Sequence, residues 1–286
     1  MSKLETMNYE SIFPYSKWQP QLSALRKRYE TAQPYPHIVL ENFLEQEALE
    51  KGLAQFPGVK SGEWIQYLHV NERKFGKNDL ASLPPALKSI IETLNSDSFV
   101  QFLSELTGIQ GLFADRALEG GGLHQSQAGG FLNIHADFTV HPHHRDWQRR
   151  VNVLVYLNKN WQDSYKGHLE LWDRKMEHCI EKVAPIFNRC VIFNTDADAF
   201  HGHPDKLQCP EGETRKSIAL YYFTKEENPM ARSTEYRGRP DDGVKKVWIY
   251  LDKMALRTYD WLKRKTGISD KFVSHVLGFF DRLKRK

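Results

Sequence analysis

Residues 129–138 read GGFLNIHADF, and this stretch decides the expected fold because it places His135 and Asp137 within a strand-like run. Phe131 and Ile134 give the run the apolar character of a buried strand. Side chains at positions i and i+2 project from the same face of a strand, so one imidazole and one carboxylate should converge on one point. Two histidines and one carboxylate on one face form a common ferrous-ion site, so this pair supplies two of the three ligands that such a site needs.

The His-x-Asp spacing alone is a weak signal, because the chain contains two further triplets, His144 with Asp146 and His203 with Asp205. A proline lies within two residues of each, which is typical of turns. Only the triplet at 135–137 is therefore expected to have a rigid strand beneath it.

Short strand-like runs fill most of residues 129–224, and each is bounded by Pro, Asn, Asp or Gly. Runs at this density predict a mainly β fold with flanking helices, a double-sheet antiparallel jelly roll or double-stranded β-helix. Such a roll has an opening between its two sheets, which can hold a small-molecule site. The runs after the first are RRVNVLVYLNKNW (149–161), GHLELWD (167–173), CIEKVAP (179–185), NRCVIFNT (188–195) and RKSIALYYF (215–223).

The residues before the roll predict one strand and three helices that pack against it. YPHIVLENF (35–43) has strand character, so the fold is expected to begin near residue 35. Apolar spacing at three and four predicts helices over 45–56, 85–95 and 98–108, the last capped by Ser96 or Asp97.

Glycine clusters at 120–122 and 129–130 bracket LHQSQA (123–128), which predicts a turn-rich approach to the metal-bearing strand. We therefore expect three parts. They are an N-terminal segment (1–34), a jelly-roll domain with N-terminal helices (35–240) and a basic helical C-terminal extension (241–286).

Composition indicates a globular protein of the cytosol. The chain has 286 residues, of which 40% are hydrophobic, enough to bury a sizeable core. The first residues, MSKLETMNYESIF, lack the apolar centre of a secretion signal, and no run approaches the roughly 18 apolar residues of a spanning helix. The three cysteines, Cys179, Cys190 and Cys209, include no Cys-x-x-Cys pair, which argues against a disulfide framework and a thiolate zinc site.

The charge of +4 is unevenly distributed. Residues 245–286 hold twelve Lys or Arg and four Asp, a charge of +8, which leaves −4 on residues 1–244. The tail reads as two helices, the second over 268–286 with an amphipathic, strongly basic character. It is expected either to cover the roll or to contact anionic lipid at the inner face of a membrane. No aromatic-and-basic motif favours nucleic acid.

The second histidine of the metal site should come from a late strand or the loop beside it, and His201 directly follows the strand-like run NRCVIFNT. Fourteen residues later, Arg215 and Ser217 begin a strand and share one of its faces. A guanidinium with a neighbouring hydroxyl suits a buried carboxylate, because arginine stays charged and offers paired donors in a fixed fork. An acidic co-substrate is therefore expected here.

One series of motifs runs through roughly residues 120–224, in the order HADF (135–138), VYLNKNW (155–161), GHLELWD, NRCVIFNT, His201 and RKS (215–217). This series resembles the prolyl-4-hydroxylase-type branch of the iron(II)- and 2-oxoglutarate-dependent dioxygenases. The resemblance implies that His135, Asp137 and His201 bind iron(II). It also implies that Arg215 binds the C5 carboxylate of 2-oxoglutarate with help from Ser217. Val155 stands where some relatives of the hypoxia-sensing type have a tyrosine that touches the co-substrate.

The same resemblance implies an oxygenase that hydroxylates an unactivated C–H bond and releases succinate and carbon dioxide. Oxygen would be the second co-substrate, with ascorbate as a stimulant. The implied substrates are a prolyl or other peptidyl residue, a free amino acid, or a sugar or lipid-linked glycan.

Three alternatives stay open from the sequence. A cupin-like protein could hold the metal and act in binding or sensing without turnover, although Arg215 argues for turnover. The loop HPHH (141–144) could bind zinc, but its proline and adjacent histidines make joint ligation awkward. Arg145, Arg149 and Arg150 could bind an anionic substrate, although arginines beside a strand are usually solvated.

Overall fold

Thirteen strands and five α-helices make up the part of the chain that the computed structural model describes, residues 9–61, 64–195, 198–244 and 246–249. The helices are α1 (Tyr15–Trp18), α2 (Leu22–Thr31), α3 (Gln46–Ala54), α4 (Pro85–Leu94) and α5 (Asp97–Thr107). The strands are β1 (His37–Leu40), β2 (Ile65–His69), β3 (Glu72–Lys77), β4 (Phe113–Ala114), β5 (Gly122–Ser126), β6 (Phe131–Ala136), β7 (Trp147–Tyr156), β8 (Leu169–Trp172), β9 (Cys179–Val183), β10 (Cys190–Asn194), β11 (His201–His203), β12 (Arg215–Lys225) and β13 (Glu235–Tyr236).

The strands form one antiparallel sheet that curls into a nearly closed barrel. Its order is β1-β10-β7-β12-β5-β3-β6-β11-β8-β9, with β2 added to β3, β4 to β12 and β13 to β6. Strand β3 pairs with both β5 and β6, so it joins the two halves of the roll. This is the predicted double-stranded β-helix, and the prediction is confirmed.

Helices α4 and α5 cover one outer face of the barrel, as their apolar spacing predicts. Ser96 caps α5 by accepting a hydrogen bond from the Phe99 backbone N–H at 3.3 Å, which decides between the two expected caps. The Tyr222 hydroxyl of β12 donates to the Leu94 carbonyl at 2.7 Å, which ties the helices to the sheet. Each buried side chain of this layer contributes about 1.5–3 kcal/mol of hydrophobic stabilisation.

The main core begins earlier than the strand pattern suggested. Phe13, Trp18, Leu25 and Tyr29 are buried in the same cluster as α4 and α5, and the Phe13 ring lies 4.9 Å from that of Phe99. Residues before 35 therefore contribute to the main core, because helix α2 packs on the roll. The division of the chain at residues 34 and 240 stays a prediction.

Two local expectations were wrong. The stretch 123–128 belongs mainly to strand β5, which pairs with β3 and β12, where a turn-rich approach was expected. Gly122 makes this possible, because its φ of +89° and its approach to the Lys77 carbonyl exclude a larger residue. His203, expected in a turn beside Pro204, lies in β11 and pairs with Leu132.

Residues 246–249, near the start of the first predicted C-terminal helix, are helical. The rest of the two predicted helices falls outside the described residues, so their packing and any lipid contact stay predictions. Within the described ranges, no helix has the length and apolar character needed to cross a membrane. Cys179, Cys190 and Cys209 are free thiols, as expected.

Candidate functional site

Strand pairing brings His135, Asp137 and His201 together. His135 lies near the end of β6, Asp137 follows that strand directly, and His201 opens β11 in register opposite His135. The Asp137 carboxylate lies 3.5 Å from the Nε2 atom of each histidine, one through Oδ1 and the other through Oδ2. All three ligand atoms lie within 4.8 Å of one another. The structure therefore assembles the expected two-histidine, one-carboxylate set.

Backbone carbonyls orient both imidazoles for this arrangement. His135 Nδ1 lies 3.0 Å from the Asn133 carbonyl, and His201 Nδ1 lies 2.9 Å from the Ala199 carbonyl. A carbonyl can only accept, so each Nδ1 carries the proton and each Nε2 keeps its lone pair toward the centre. Burial, with the neighbouring His135, lowers the pKa of His201 to about 4, so His201 is neutral at pH 7. Two imidazoles and one carboxylate converging in this way fit a divalent transition metal.

Arg149 is the residue of this site that the sequence did not reveal. Its Nη2 lies 2.9 Å from Asp137 Oδ2, and the Asn152 amide donates to the same oxygen at 2.7 Å. The Asn152 carbonyl oxygen in turn accepts from Arg149 Nε and Nη2 at 3.0 and 2.7 Å. Burial would raise the pKa of Asp137, but the Arg149 guanidinium beside it holds that pKa well below its usual range.

A β-bulge explains why sequence alternation misplaces Arg149. Tyr222 of β12 pairs with Val151, whereas the next residue, Phe223, pairs with Arg149, so β7 carries one extra residue at Arg150. The bulge turns Arg149 to the inner face and leaves Arg150 half-exposed beside Glu226 at 3.2 Å. The expectation that Arg149 is solvated was therefore wrong, and its contact with an anionic substrate stays a prediction.

Arg215 lies buried in a pocket without a carboxylate partner. Its Nε donates to the Gly167 carbonyl at 2.7 Å, and its Nη2 donates to the Tyr156 hydroxyl at 3.3 Å. Among the described residues, no carboxylate lies within ion-pair distance of this guanidinium. Gly167 permits the close approach, since a Cβ there would meet Arg215 Cδ at 3.0 Å. A buried cation with only neutral acceptors fits a carboxylate supplied by a ligand.

Tyr156, and not residue 155, faces the pocket. Val155 is buried in the core under the helices, whereas Tyr156 lies on the inner face in register with Ser217. The buried Ser217 also pairs with His124 of β5, so the predicted Arg215 and Ser217 occur on one strand beside a tyrosine. The correspondence of Val155 to the tyrosine of some relatives stays a prediction, and in this chain Tyr156 is the residue beside Arg215.

The remaining histidines divide into two groups. His124 and His203 lie near Arg215 and Lys74, whose charges act on both. The HPHH loop contains no metal cluster among the described residues, because His141 lies 3.5 Å from the Asp115 carboxylate and His144 stacks on Trp147 at 3.9 Å. The structure also groups Asp173, Glu177 and His178 in a largely exposed turn.

Comparison with known proteins agrees with this geometry. Residues 121–223 match the model of the 2OG-Fe(II) oxygenase superfamily. A human prolyl hydroxylase, EGLN3, is 31% identical over 84 residues, which are 29% of this chain and 33% of that protein. The chain thus matches a third of the length of this curated relative.

A solved structure of a prolyl hydroxylase shares the fold. A Trichoplax adhaerens prolyl hydroxylase, solved with a peptide fragment of a hypoxia inducible factor oxygen degradation domain, superposes with a TM-score of 0.54 at 21% identity and covers 73% of this chain and 92% of that one. A Pseudomonas putida prolyl-4-hydroxylase gives a TM-score of 0.48 at 18% identity and covers 72% and 100%. Residues 121–223 are thus similar to the 2OG-Fe(II) oxygenase superfamily, with a prolyl hydroxylase among the relatives, and the roll is the fold that the Trichoplax adhaerens enzyme shares.

Proposed function

We propose that the protein is an iron(II)- and 2-oxoglutarate-dependent dioxygenase that hydroxylates an unactivated C–H bond and releases succinate and carbon dioxide. The observation that carries the proposal is the pairing of two sites in one barrel. The three candidate metal-ligand atoms lie within 4.8 Å of one another. Arg215, at the start of β12, is buried and has no carboxylate partner among the described residues.

Each side chain then has a defined task. His135, Asp137 and His201 would hold the iron, which supplies the oxidising chemistry when 2-oxoglutarate and oxygen are present. Arg149 and Asn152 occupy Asp137 Oδ2, which leaves Oδ1 for the metal and keeps the carboxylate from rotating. The barrel excludes water from this centre, since both histidines are about 5–6% exposed.

Arg215 would bind the C5 carboxylate of 2-oxoglutarate, with the Tyr156 hydroxyl and Ser217 beside it. The guanidinium is already fixed by Gly167 and Tyr156, so binding costs little reorganisation. A peptidyl or small-molecule substrate is the class that the prolyl-hydroxylase likeness supports. Contact of residues 268–286 with a membrane, a glycan substrate and a cytoplasmic location stay predictions.

The test is succinate formation by the purified full-length protein with iron(II), ascorbate and 2-oxoglutarate, measured without added substrate. His135→Ala, Asp137→Ala and His201→Ala should each abolish turnover and reduce the metal retained after desalting. Asp205→Ala is the matched control, because Asp205 pairs with Arg239 at 3.0 Å outside the site. Metal retention without succinate in the wild type would favour a binding or sensing protein, and metal loss in Asp205→Ala would refute the assigned ligands.

A further inference from the structure

A group of polar side chains reaches the metal centre from outside residues 121–223, the stretch that carries the superfamily match. These side chains are His69, Glu72 and Lys74 of the β2–β3 hairpin and Tyr236 of β13, and we call them the hairpin cluster. The shared residues supply the common chemistry of a family, so side chains from outside them are where an individual substrate can be selected.

The hairpin cluster is tied together by Glu72. Lys74 Nζ lies 2.9 Å from Glu72 Oε2, and the other carboxylate oxygen accepts from His69 Nε2 at 2.8 Å and from the Tyr236 hydroxyl at 3.5 Å. The Tyr236 ring packs 5.4 Å from the ring of His135, which β13 places in register with it. The cluster is therefore held against the metal centre.

Lys74 lies inside the barrel. Gly76 lies two residues further along β3 and so on the same face as Lys74; it pairs with His124 of β5, which in turn pairs with Ser217 on the inner face of β12. Burial and, after it, the charge of Lys74 lower the pKa of His124 to about 3. The Lys74 side chain is 17% exposed and lies 5.1 Å from the Tyr67 ring. The ammonium therefore faces the interior that Asp137 and Arg215 also face.

Hydrogen-bond donors remain unused at this point. An ammonium offers three N–H donors, and Glu72, at 2.9 Å from Lys74 Nζ, is the carboxylate within ion-pair distance of it among the described residues. His203, 4% exposed, has a buried Nδ1 without a hydrogen-bond partner among the described residues. Buried polar groups with spare hydrogen-bonding capacity are costly, so a ligand whose oxygens accept from Lys74 would complete the site.

The charge of the site favours the same kind of ligand. Lys74, Arg149 and Arg215 are cations of this interior, Arg232 donates to the Asp137 carbonyl at 3.3 Å, and the carboxylates are Asp137 and Glu72. A divalent ion and a dianionic co-substrate would cancel each other and leave a net positive charge. A further anion is therefore favoured in this water-poor interior.

We propose that Lys74, positioned by Glu72, binds a carboxylate or phosphate group of a bound ligand. Two sources share this chemistry, the primary substrate and the C1 carboxylate of 2-oxoglutarate. The place of Lys74 outside the shared residues favours the primary substrate, which would then be an anionic molecule or an acidic peptide. The inference rests on the proposed function for the identity of the co-substrate, but its test needs no turnover.

The test is equilibrium binding by calorimetry to the full-length protein loaded with Mn(II). The probes are 2-oxoglutarate, levulinate, which lacks the C1 carboxylate, and inorganic phosphate added after 2-oxoglutarate. Lys74→Met removes the charge at similar length, and Lys74→Arg retains it. Arg73→Met is the matched control, because this neighbour on β3 is exposed.

If the substrate is the source, Lys74→Met should weaken phosphate binding by about tenfold to a hundredfold, the usual effect of losing a charge-assisted hydrogen bond, and leave 2-oxoglutarate binding unchanged. If the co-substrate is the source, binding of 2-oxoglutarate should weaken by that factor and binding of levulinate should not. Lys74→Arg and Arg73→Met should bind all three probes like the wild type.

Unchanged binding of all probes by folded Lys74→Met would overturn the proposal. Where Lys74→Met alone fails to fold because Glu72 is left unpaired, the double variant Lys74→Met/Glu72→Gln removes both charges and is tested in the same way. Failure of the proposed function would appear separately, as absence of Mn(II) binding or of succinate formation in the wild type.

Discussion

Replacing Arg149 tests whether the buried support of Asp137 matters for stability. Arg149→Met keeps the length of the side chain and its contacts with the rings of Phe138 and Tyr221, which lie 4.6 and 3.5 Å from the guanidinium carbon. It removes the charge 2.9 Å from Asp137 and leaves a carboxylate that is only 12% exposed without its cation. Breaking a buried pair in this way costs about 3–5 kcal/mol of the free energy of unfolding.

The assay is urea unfolding of the metal-free protein, followed by tryptophan fluorescence. Arg150→Met is the matched control, because Arg150 is 32% exposed and pairs with Glu226, itself 41% exposed. Exposed pairs of this kind contribute about 0–1 kcal/mol. Arg149→Met should therefore lower the urea midpoint strongly and Arg150→Met only slightly.

A double variant separates the ion pair from simple packing. Arg149→Met/Asp137→Asn removes both charges, so it should be more stable than Arg149→Met alone, and the two substitutions should not be additive. The reasoning would be refuted if Arg149→Met cost no more than Arg150→Met, or if the double variant were no more stable than the single one.

Further predictions concern the co-substrate pocket, acid stability and the tail. Arg215→Met should raise the 2-oxoglutarate concentration needed for uncoupled turnover by the equivalent of about 2–5 kcal/mol, with metal retained. Lys216→Met, the control, should leave that concentration unchanged. If both variants need the same concentration, Arg215 does not bind 2-oxoglutarate. Burial and the charge of Lys74 lower the pKa of His124 to about 3 from an ordinary 6.5. The unfolded chain therefore takes up this proton at a higher pH than the folded protein does, so the free energy of unfolding decreases as the pH falls below 6.5. In the metal-free protein, His124→Gln should make the free energy of unfolding less dependent on pH, by at most about 1.4 kcal/mol per pH unit between roughly pH 4 and 6. An unchanged slope would count against a neutral buried His124. Deleting residues 268–286 should leave uncoupled turnover intact and abolish sedimentation with anionic vesicles, and wild-type binding should weaken with salt because charges are screened over about 10 Å at 0.1 M. Insoluble protein after the deletion would instead favour a helix that covers the roll.

The sequence by itself determined the strands of the roll and the three metal-ligand candidates. Strand character and turn residues are local properties, so they can be read one segment at a time. The His-x-Asp spacing works in the same way, because the two-residue period of a strand already puts His135 and Asp137 on one face. His201 and Arg215 were found because each adjoins a strongly marked strand.

Only the tertiary structure decided which side chains support those residues. The extra residue in β7 reverses the inner and outer faces between Arg150 and Val151, and a reversal of this kind leaves no mark in a period-two pattern. Arg149, which reads as a surface residue, thereby becomes the buried partner of Asp137. Tyr156 replaces its neighbour Val155 beside Arg215, because only the pairing with β12 shows which of the two faces inward.

Contacts between distant parts of the chain were also beyond the sequence. Lys74 and Tyr236 are separated by more than 160 positions, yet β3 and β13 both pair with β6 and bring them to Glu72 and His135. Register between strands is set by the packing of the whole sheet, and no local preference for residue type encodes it. The sequence therefore determined which residues could form a metal centre, and the tertiary structure decided which residues surround that candidate site.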